Sequence, residues 1–311
     1  MSARTTAFVL SGGGSLGAVQ VGMLQALAEQ GIRPDLLVGT SAGAMNAAWV
    51  AGNGTSSASL EALADVWRSL RRADAFPVDL RRVLGALLGR DAAVSSPDRL
   101  GDLVRRHAGF DVLADASIPV HFVATDLMSG RDVLISEGSV VTGVLASAAI
   151  PGVFPPVRLG DRLLVDGALA PHAGVTQAVA LGAEVVYLLP TGTPCALAEP
   201  PRSAAAMALH ALTLLLEQRA IHDVVAMAGQ VAVRVLPPLC PLAVSAIDFG
   251  RAAELIGRAR RSTLTWIEDG GTDLPAPERF LSLHKHPRLA SEPHLRSGVR
   301  QGGSDAVGAV P

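Results

Sequence analysis

The apolar positions of the chain fall first into short unbroken runs and then into longer periodic stretches. Ala7-Phe-Val-Leu10 lies between polar Thr6 and Ser11, the mark of a short strand buried on both faces. Gly12-Gly13-Gly14 follows. Gly17, Val21, Leu24 and Ala28 then recur at helical spacing, which predicts a helix from about Ser15 to Gln30 with one buried stripe. Gly31 suits the position that ends it. Leu36-Leu-Val38 reads as a second strand. It meets Gly39-Thr-Ser-Ala-Gly43, and a second helix runs on through Met45, Ala48 and Trp49 until Gly52-Asn53-Gly54 stops it. Strand, helix, strand, helix at this spacing predicts a parallel sheet with helices packed on it.

Further along, residues 60–109 are helical in pattern with Gly and Pro breaks. Arg68, Arg71, Arg72, Arg81 and Arg82 read there as a solvated helix face. Pro119 to Thr125 is a third strand, Val140 to Ala149 a small-residue helix, and Pro151 to Pro156 an irregular loop. Arg162 to Val165 reads as a strand ending at Asp166, and Glu184 to Leu189 as another. A helix over Ala204 to Val225, a strand over Val231 to Leu236 and a helix from about Asp248 to Glu268 complete the pattern. From His284 on there is no periodicity, so residues 284–311 are expected to form a mobile tail.

Composition narrows the class. Of 311 residues, 49% are hydrophobic and 17% charged, enough to bury a large core and too apolar for global disorder. A net charge of −2 gives no electrostatic support to nucleic-acid binding. Cys195 and Cys240 match no metal-ligand spacing, and a reduced compartment fits them better than a disulfide. The start of the chain lacks the pattern of a secretory signal. The most apolar later stretch, Ala204 to Leu216, is too short to span a bilayer. The expectation is a cytoplasmic protein that touches membranes at most peripherally.

Two glycine patterns carry the candidate chemistry. Gly12, Gly14 and Gly17 satisfy G-x-G-x-x-G between a strand and a helix, which is also the dinucleotide-binding fingerprint. That reading, a nucleotide-binding oxidoreductase, needs an acid near the end of the second strand for the ribose. Gly39-Thr40-Ser41 occupies that place, and Asp35 lies at the strand's other end. Gly39-x-Ser41-x-Gly43 fits a nucleophile elbow, where a strand turns sharply into a helix and lifts a serine hydroxyl above the strand end. A serine that merely caps its helix would fit the same five residues. A nucleophile also needs a proton acceptor. His172, His210 and His222 have no distinctive surroundings in sequence, whereas Asp166-Gly167-Ala168 closes an apolar strand with small residues beside the carboxylate.

Together, Gly12-Gly-Gly-Ser-Leu-Gly17, Gly39-Thr-Ser-Ala-Gly43 and Asp166-Gly-Ala168 resemble the patatin-like phospholipase family. The resemblance extends to Ala124-Thr-Asp-Leu127, Ser147-Ala-Ala-Ile-Pro-Gly-Val-Phe-Pro-Pro156 and Asp248-Phe249. It implies an α/β fold, a three-layer αβα sandwich with a mainly parallel central sheet. One hydrolase domain would cover residues 6–275, with the motifs in 6–190 and a completing part in 191–275. It implies a serine acyl hydrolase of phospholipase, lysophospholipase or esterase type. Ser41 would be the nucleophile and Asp166 the proton acceptor, in a dyad without histidine, metal or cofactor. The N–H groups of Gly12, Gly13 and Gly14 would form the oxyanion hole, with Gly17, Gly39, Gly43, Gly167 and Ala168 as motif support. The implied partner is a lipid or other acyl ester. Many members carry Arg or Lys where this chain has Leu16, which argues against strong preference for anionic headgroups. A non-catalytic lipid-binding protein on the same fold is the remaining alternative.

Overall fold

Alternate side chains of the central strands point into two separate cores. In β1 (Thr6–Leu10), Phe8 and Leu10 join one buried cluster, and Ala7 and Val9 join another. In β2 (Leu36–Thr40), Leu37 joins the first and Leu36 and Val38 the second. An unbroken apolar run is what a strand needs when helices cover both faces of its sheet. The structure, a computed structural model, describes residues 4–281 apart from 78, 79, 89, 173, 198, 275 and 276. The expected tail over 284–311 lies outside the described residues.

The remaining elements are α1 (Gly17–Glu29), α2 (Ala42–Asn53), α3 (Ser57–Ser69), α4 (Arg72–Ala75), α5 (Leu80–Leu87), α6 (Asp98–His107), β3 (Val120–Asp126), β4 (Asp132–Ile135), α7 (Val140–Ser147), β5 (Val157–Leu159), β6 (Arg162–Asp166), α8 (Val175–Ala180), β7 (Val185–Leu189), α9 (Ala204–Met227), β8 (Ala232–Val235) and α10 (Ala252–Glu268). The sheet runs β5-β6-β3-β2-β1-β7-β8, with β4 also on β3. Helices α1, α2, α3 and α10 bury their apolar residues against one face, α8 and α9 against the other. This is the three-layer αβα sandwich. Among the described residues no helix is long and apolar enough to cross a membrane.

The sheet is mainly parallel, as expected, and three details add to or depart from the sequence reading. The pairings β1–β2, β1–β7, β2–β3 and β7–β8 are parallel, but β4, β5 and β6 pair antiparallel. The sheet is therefore mixed at the end that carries Asp166. Second, β4 and β5 were not foreseen, because they are short and only partly buried. Third, α1 has no single buried stripe. Residues from Gly17 to Leu24 are all buried, because α10, from the far end of the chain, lies against the side that would otherwise face water. Gly22 makes that approach possible: a Cβ there would sit 2.2 Å from the carbonyl oxygen of Ile256.

Candidate active site

β1 and β2 both deliver their C-terminal ends to the same edge of the sheet, where the chain order reverses at β1. In open α/β sheets this is where ligands bind. The glycine loop follows β1 and Ser41 follows β2. Asp166 reaches the same place from the opposite direction. β6 is antiparallel to β3, with Asp166 opposite Ala124, while the neighbouring Val123 is opposite Thr40. The register therefore sets the last residue of β6 beside the first turn after β2.

Ser41 has φ 54° and ψ −120°, and it is the only non-glycine residue with positive φ among the described residues. Such a backbone costs roughly 1–3 kcal/mol and persists where its surroundings enforce it. The enforcement is visible. A Cβ on Gly39 would lie 2.6 Å from the Cα of Ala44, and one on Gly43 would lie 2.1 Å from the carbonyl oxygen of Leu10. The Ser41 N–H donates to Ser147 Oγ at 2.9 Å, and Ser147 Oγ donates to the Val123 carbonyl at 2.6 Å. The Ser41 side chain caps nothing. Its Oγ donates instead to Asp166 Oδ2 at 2.8 Å.

Asp166 is fully buried. Its Oδ1 accepts the Ala168 N–H at 2.8 Å, its carbonyl accepts Thr125 Oγ1 at 2.9 Å, and its N–H donates to the Ala149 carbonyl. Burial pushes its carboxyl up to about 6, and the hydrogen bonds from Ala168 and Ser41 hold that rise back. Gly167 supports the site through the backbone. It does not open space around the carboxylate; a Cβ there would lie 2.1 Å from the Val123 carbonyl, so the glycine lets β6 close on β3.

The glycine loop is clamped from both sides. Thr191 Oγ1 donates to the Gly12 carbonyl at 2.6 Å. Ser15 donates through its N–H to the Ala246 carbonyl and through Oγ to the Ser245 carbonyl. The N–H groups of Ser11, Ser15 and Leu16 have backbone partners. Those of Gly12, Gly13 and Gly14 have none among the described residues. Gly12 abuts Ser41, since a Cβ on it would be 3.0 Å from that of Ser41. Gly17 lies in the wall behind, where a Cβ would strike Trp67 at 2.6 Å. Leu16 is wholly buried in the core.

Above Ser41 lies a narrow apolar cleft of about 40 Å³, with Met45, Trp67, Leu103, Phe76, Phe154 and Phe249 among its walls. The rings interlock: Trp67 stacks on Phe249 with centroids 6.4 Å apart, and Phe76 contacts both Phe154 and Phe249. Asp248, quoted beside Phe249 for the family resemblance, caps the turn that presents it by accepting the Gly250 N–H. Asp126 likewise caps a turn, accepting from Met128 and Ser129.

Other candidates are elsewhere. His172 has its Nδ1 3.5 Å from Asp132 and is half exposed. His210 and His222 belong to α9. Asp35 accepts the Thr6 N–H at the opposite end of β1 and so is not placed to hold a ribose. Among the described residues no cluster of three or more His, Cys, Asp or Glu could hold a metal. Cys195 and Cys240 form no disulfide, and burial with the neighbouring Cys195 pushes the Cys240 thiol up. Arg68 pairs with Glu61 and Asp65 on its own exposed helix face.

Several residues that build the site were given no role from sequence. Ser147 and Thr125 were quoted only as parts of motifs, and Thr191, Gln20 and Asn46 not at all. Gln20 donates to the carbonyls of Ser11 and Leu189. Asn46 donates to Gln20 Oε1 and to the Gly17 carbonyl and accepts from Trp67 Nε1. A buried polar chain thus joins the cleft wall to the glycine loop. A lone amide inside an apolar helix was the available signal, because such a group must find partners.

The family profile described as "Patatin-like phospholipase" matches residues 8–179, a span that contains Ser41, Asp166 and the glycine loop. The chain belongs to the patatin-like phospholipase family. An uncharacterized NTE family protein of Mycobacterium bovis is 32% identical over 180 residues, 56% of this chain and 47% of that one. This patatin-like chain thus matches about half the length of that relative. The lysophospholipase nte1 of Aspergillus terreus is 28% identical over 193 residues, 61% of this chain and 12% of its own. Among solved structures, VipD from Legionella pneumophila aligns over 86% of this chain and 67% of its own, with TM-score 0.42 and 14% identity.

Proposed function

We propose that this patatin-like protein hydrolyses acyl esters of lipids, with Ser41 as nucleophile, Asp166 as proton acceptor and the N–H groups of Gly12, Gly13 and Gly14 as the oxyanion hole. The observation that carries the reading is the 2.8 Å hydrogen bond from Ser41 Oγ to a fully buried carboxylate at the foot of an apolar cleft. The family and the lysophospholipase name of one relative support the substrate class.

The chemistry follows from the geometry. As Ser41 Oγ attacks the ester carbonyl, its proton passes to Asp166 Oδ2 and then to the departing alcohol. An ordinary Asp, near about 3.9, is a weak base for this. A carboxylate raised to about 6 is stronger and still ionised at neutral pH. The acyl-enzyme is resolved when the carboxylate takes a proton from water in the same way. Negative charge on the carbonyl oxygen meets glycine N–H groups without other partners, close to the N-terminus of α2. Losing one such donor typically slows turnover by about 10²–10³.

A fluorophosphonate probe tests the proposal. It should label the wild-type protein at Ser41, and Ser41→Ala should neither be labelled nor hydrolyse a short acyl ester while keeping its circular dichroism spectrum. Wild-type turnover by the folded variant would refute the assignment.

A further inference from the structure

β7 and β8 lie parallel and leave the sheet side by side, with Leu188 opposite Val235. The segments that follow them stay together. The Ala196 N–H donates to the Leu242 carbonyl at 3.0 Å, and the Leu242 N–H donates to Cys195 Sγ at 3.4 Å. A Cβ on Gly192 would lie 3.3 Å from that of Pro238. This shared exit brings together the two cysteines of the chain: Cys195 is the hydrogen-bonding neighbour of the Cys240 thiol. Cys240 is exposed and Cys195 half-buried. Among the described residues no metal-binding cluster of three or more His, Cys, Asp or Glu includes them. The same two segments clamp the glycine loop. Thr191, shortly before Cys195, bonds the Gly12 carbonyl. Ser245 and Ala246, shortly after Cys240, accept the bonds from Ser15.

We infer that Cys195 and Cys240 are a redox site: they close to a reversible disulfide that fastens the two clamps of the glycine loop to one another. The inference does not rest on the reading of Ser41 as nucleophile. The oxidant is a small-molecule disulfide. The Cys240 thiolate, the more exposed of the pair, attacks one of its sulfurs, and the other half leaves as a thiol after taking up a proton. Cys195 then gives up its proton and attacks the Cys240 sulfur, expelling the second half as a thiol. The cysteines lose two electrons and two protons, and the small disulfide gains both. Burial and the neighbouring Cys195 push the Cys240 thiol up, against an opposing pull from Arg258, so exchange is slow at neutral pH and faster in mild alkali. In a reducing compartment the pair stays open, and it closes when the surroundings turn oxidising. The new bond spans α9, so it closes a long loop in the unfolded chain and holds two neighbouring segments together in the folded one.

Oxidised glutathione is the probe, applied to the full chain at about pH 8.5, with dithiothreitol as the reducing control. The intact mass of the monomer should fall by two hydrogens. Both thiols should vanish from a count made in denaturant, and dithiothreitol should restore them. Digestion should yield one peptide pair joined through Cys195 and Cys240. Separate glutathione adducts on the two cysteines, or a disulfide between two chains, would overturn the pairing. Cys195→Ser should stop at a single adduct on Cys240. Hydrogen exchange then reads the clamp. Amides of residues 12–16 should exchange at least about tenfold more slowly in the oxidised protein than in the reduced one, and Cys195→Ser treated in the same way should show no such slowing. A disulfide that leaves exchange over residues 12–16 unchanged would overturn the fastening. If Cys195→Ser does not fold, oxidised and reduced wild type decide by themselves. Neither readout uses ester turnover. Ser41→Ala should therefore form the same disulfide, and a failure of the disulfide leaves the assignment of Ser41 standing.

Discussion

In the proposed mechanism Asp166 needs two properties, and they oppose one another. It must be ionised to accept the Ser41 proton, and it is buried where ionisation is costly. Unfolded, it loses its proton near about 3.9; folded, near about 6. Between those values the folded chain keeps a proton that the unfolded chain has released, so stability falls as pH rises through this window. The loss reaches about 3 kcal/mol above the folded value. Asp166→Asn keeps an acceptor for the Ala168 N–H and avoids the buried charge. It should be nearly inactive, yet melt higher than wild type at about pH 8 and converge with it below about pH 4. A melting difference independent of pH would contradict the account. For wild type, kcat/KM should decline as pH falls through about 6. A histidine base would titrate nearby, at about 6.5, so the profile alone does not separate the two schemes. His172→Ala does: it should retain most activity, because His172 faces Asp132, and a folded variant as dead as Ser41→Ala would sink the dyad.

At the scale of elements, local units were legible and their partners were not. The turn from β1 into α1 and the turn from β2 into α2 could be read because glycine, serine and the apolar runs around them are contiguous in sequence. The direction of β6 could not, since strand pairing is a property of two distant segments. β5 has no fully buried residue, so its pattern carries little signal. Ser41 and Asp166 were quoted as a pair only through resemblance; nothing in the spacing of two residues so far apart sets their geometry. Ser147, Thr191 and Gln20 were missed because a single polar residue in an apolar run does not announce which carbonyl it will meet. Their work is testable. Gln20→Leu leaves the Ser11 and Leu189 carbonyls without that donor and should cost about 1–3 kcal/mol in urea titration. Gly13→Val drives a Cβ to within 2.2 Å of Thr191 Oγ1, whose bond to Gly12 holds the loop. It should lower kcat on a short ester at least about 10²-fold, and an unchanged kcat in a stable variant would place the oxyanion donors elsewhere.

At the scale of the whole molecule, the two proposed reactive groups come from the ends of β2 and β6, which do not pair with one another. β3 lies between them, parallel to one and antiparallel to the other, and 125 residues of chain separate Ser41 from Asp166. The hydrogen bond between them therefore records three strands in register together. Contacts of such sequence separation form slowly, because the loop they close must be ordered first. The serine thus acts as a clock for folding. On refolding from urea, ester hydrolysis should return no earlier than the tryptophan fluorescence of the finished core, and a fragment ending before β6 should carry the elbow and the glycine loop without turnover. On the proposed mechanism, catalysis would be the last thing this sheet learns to do.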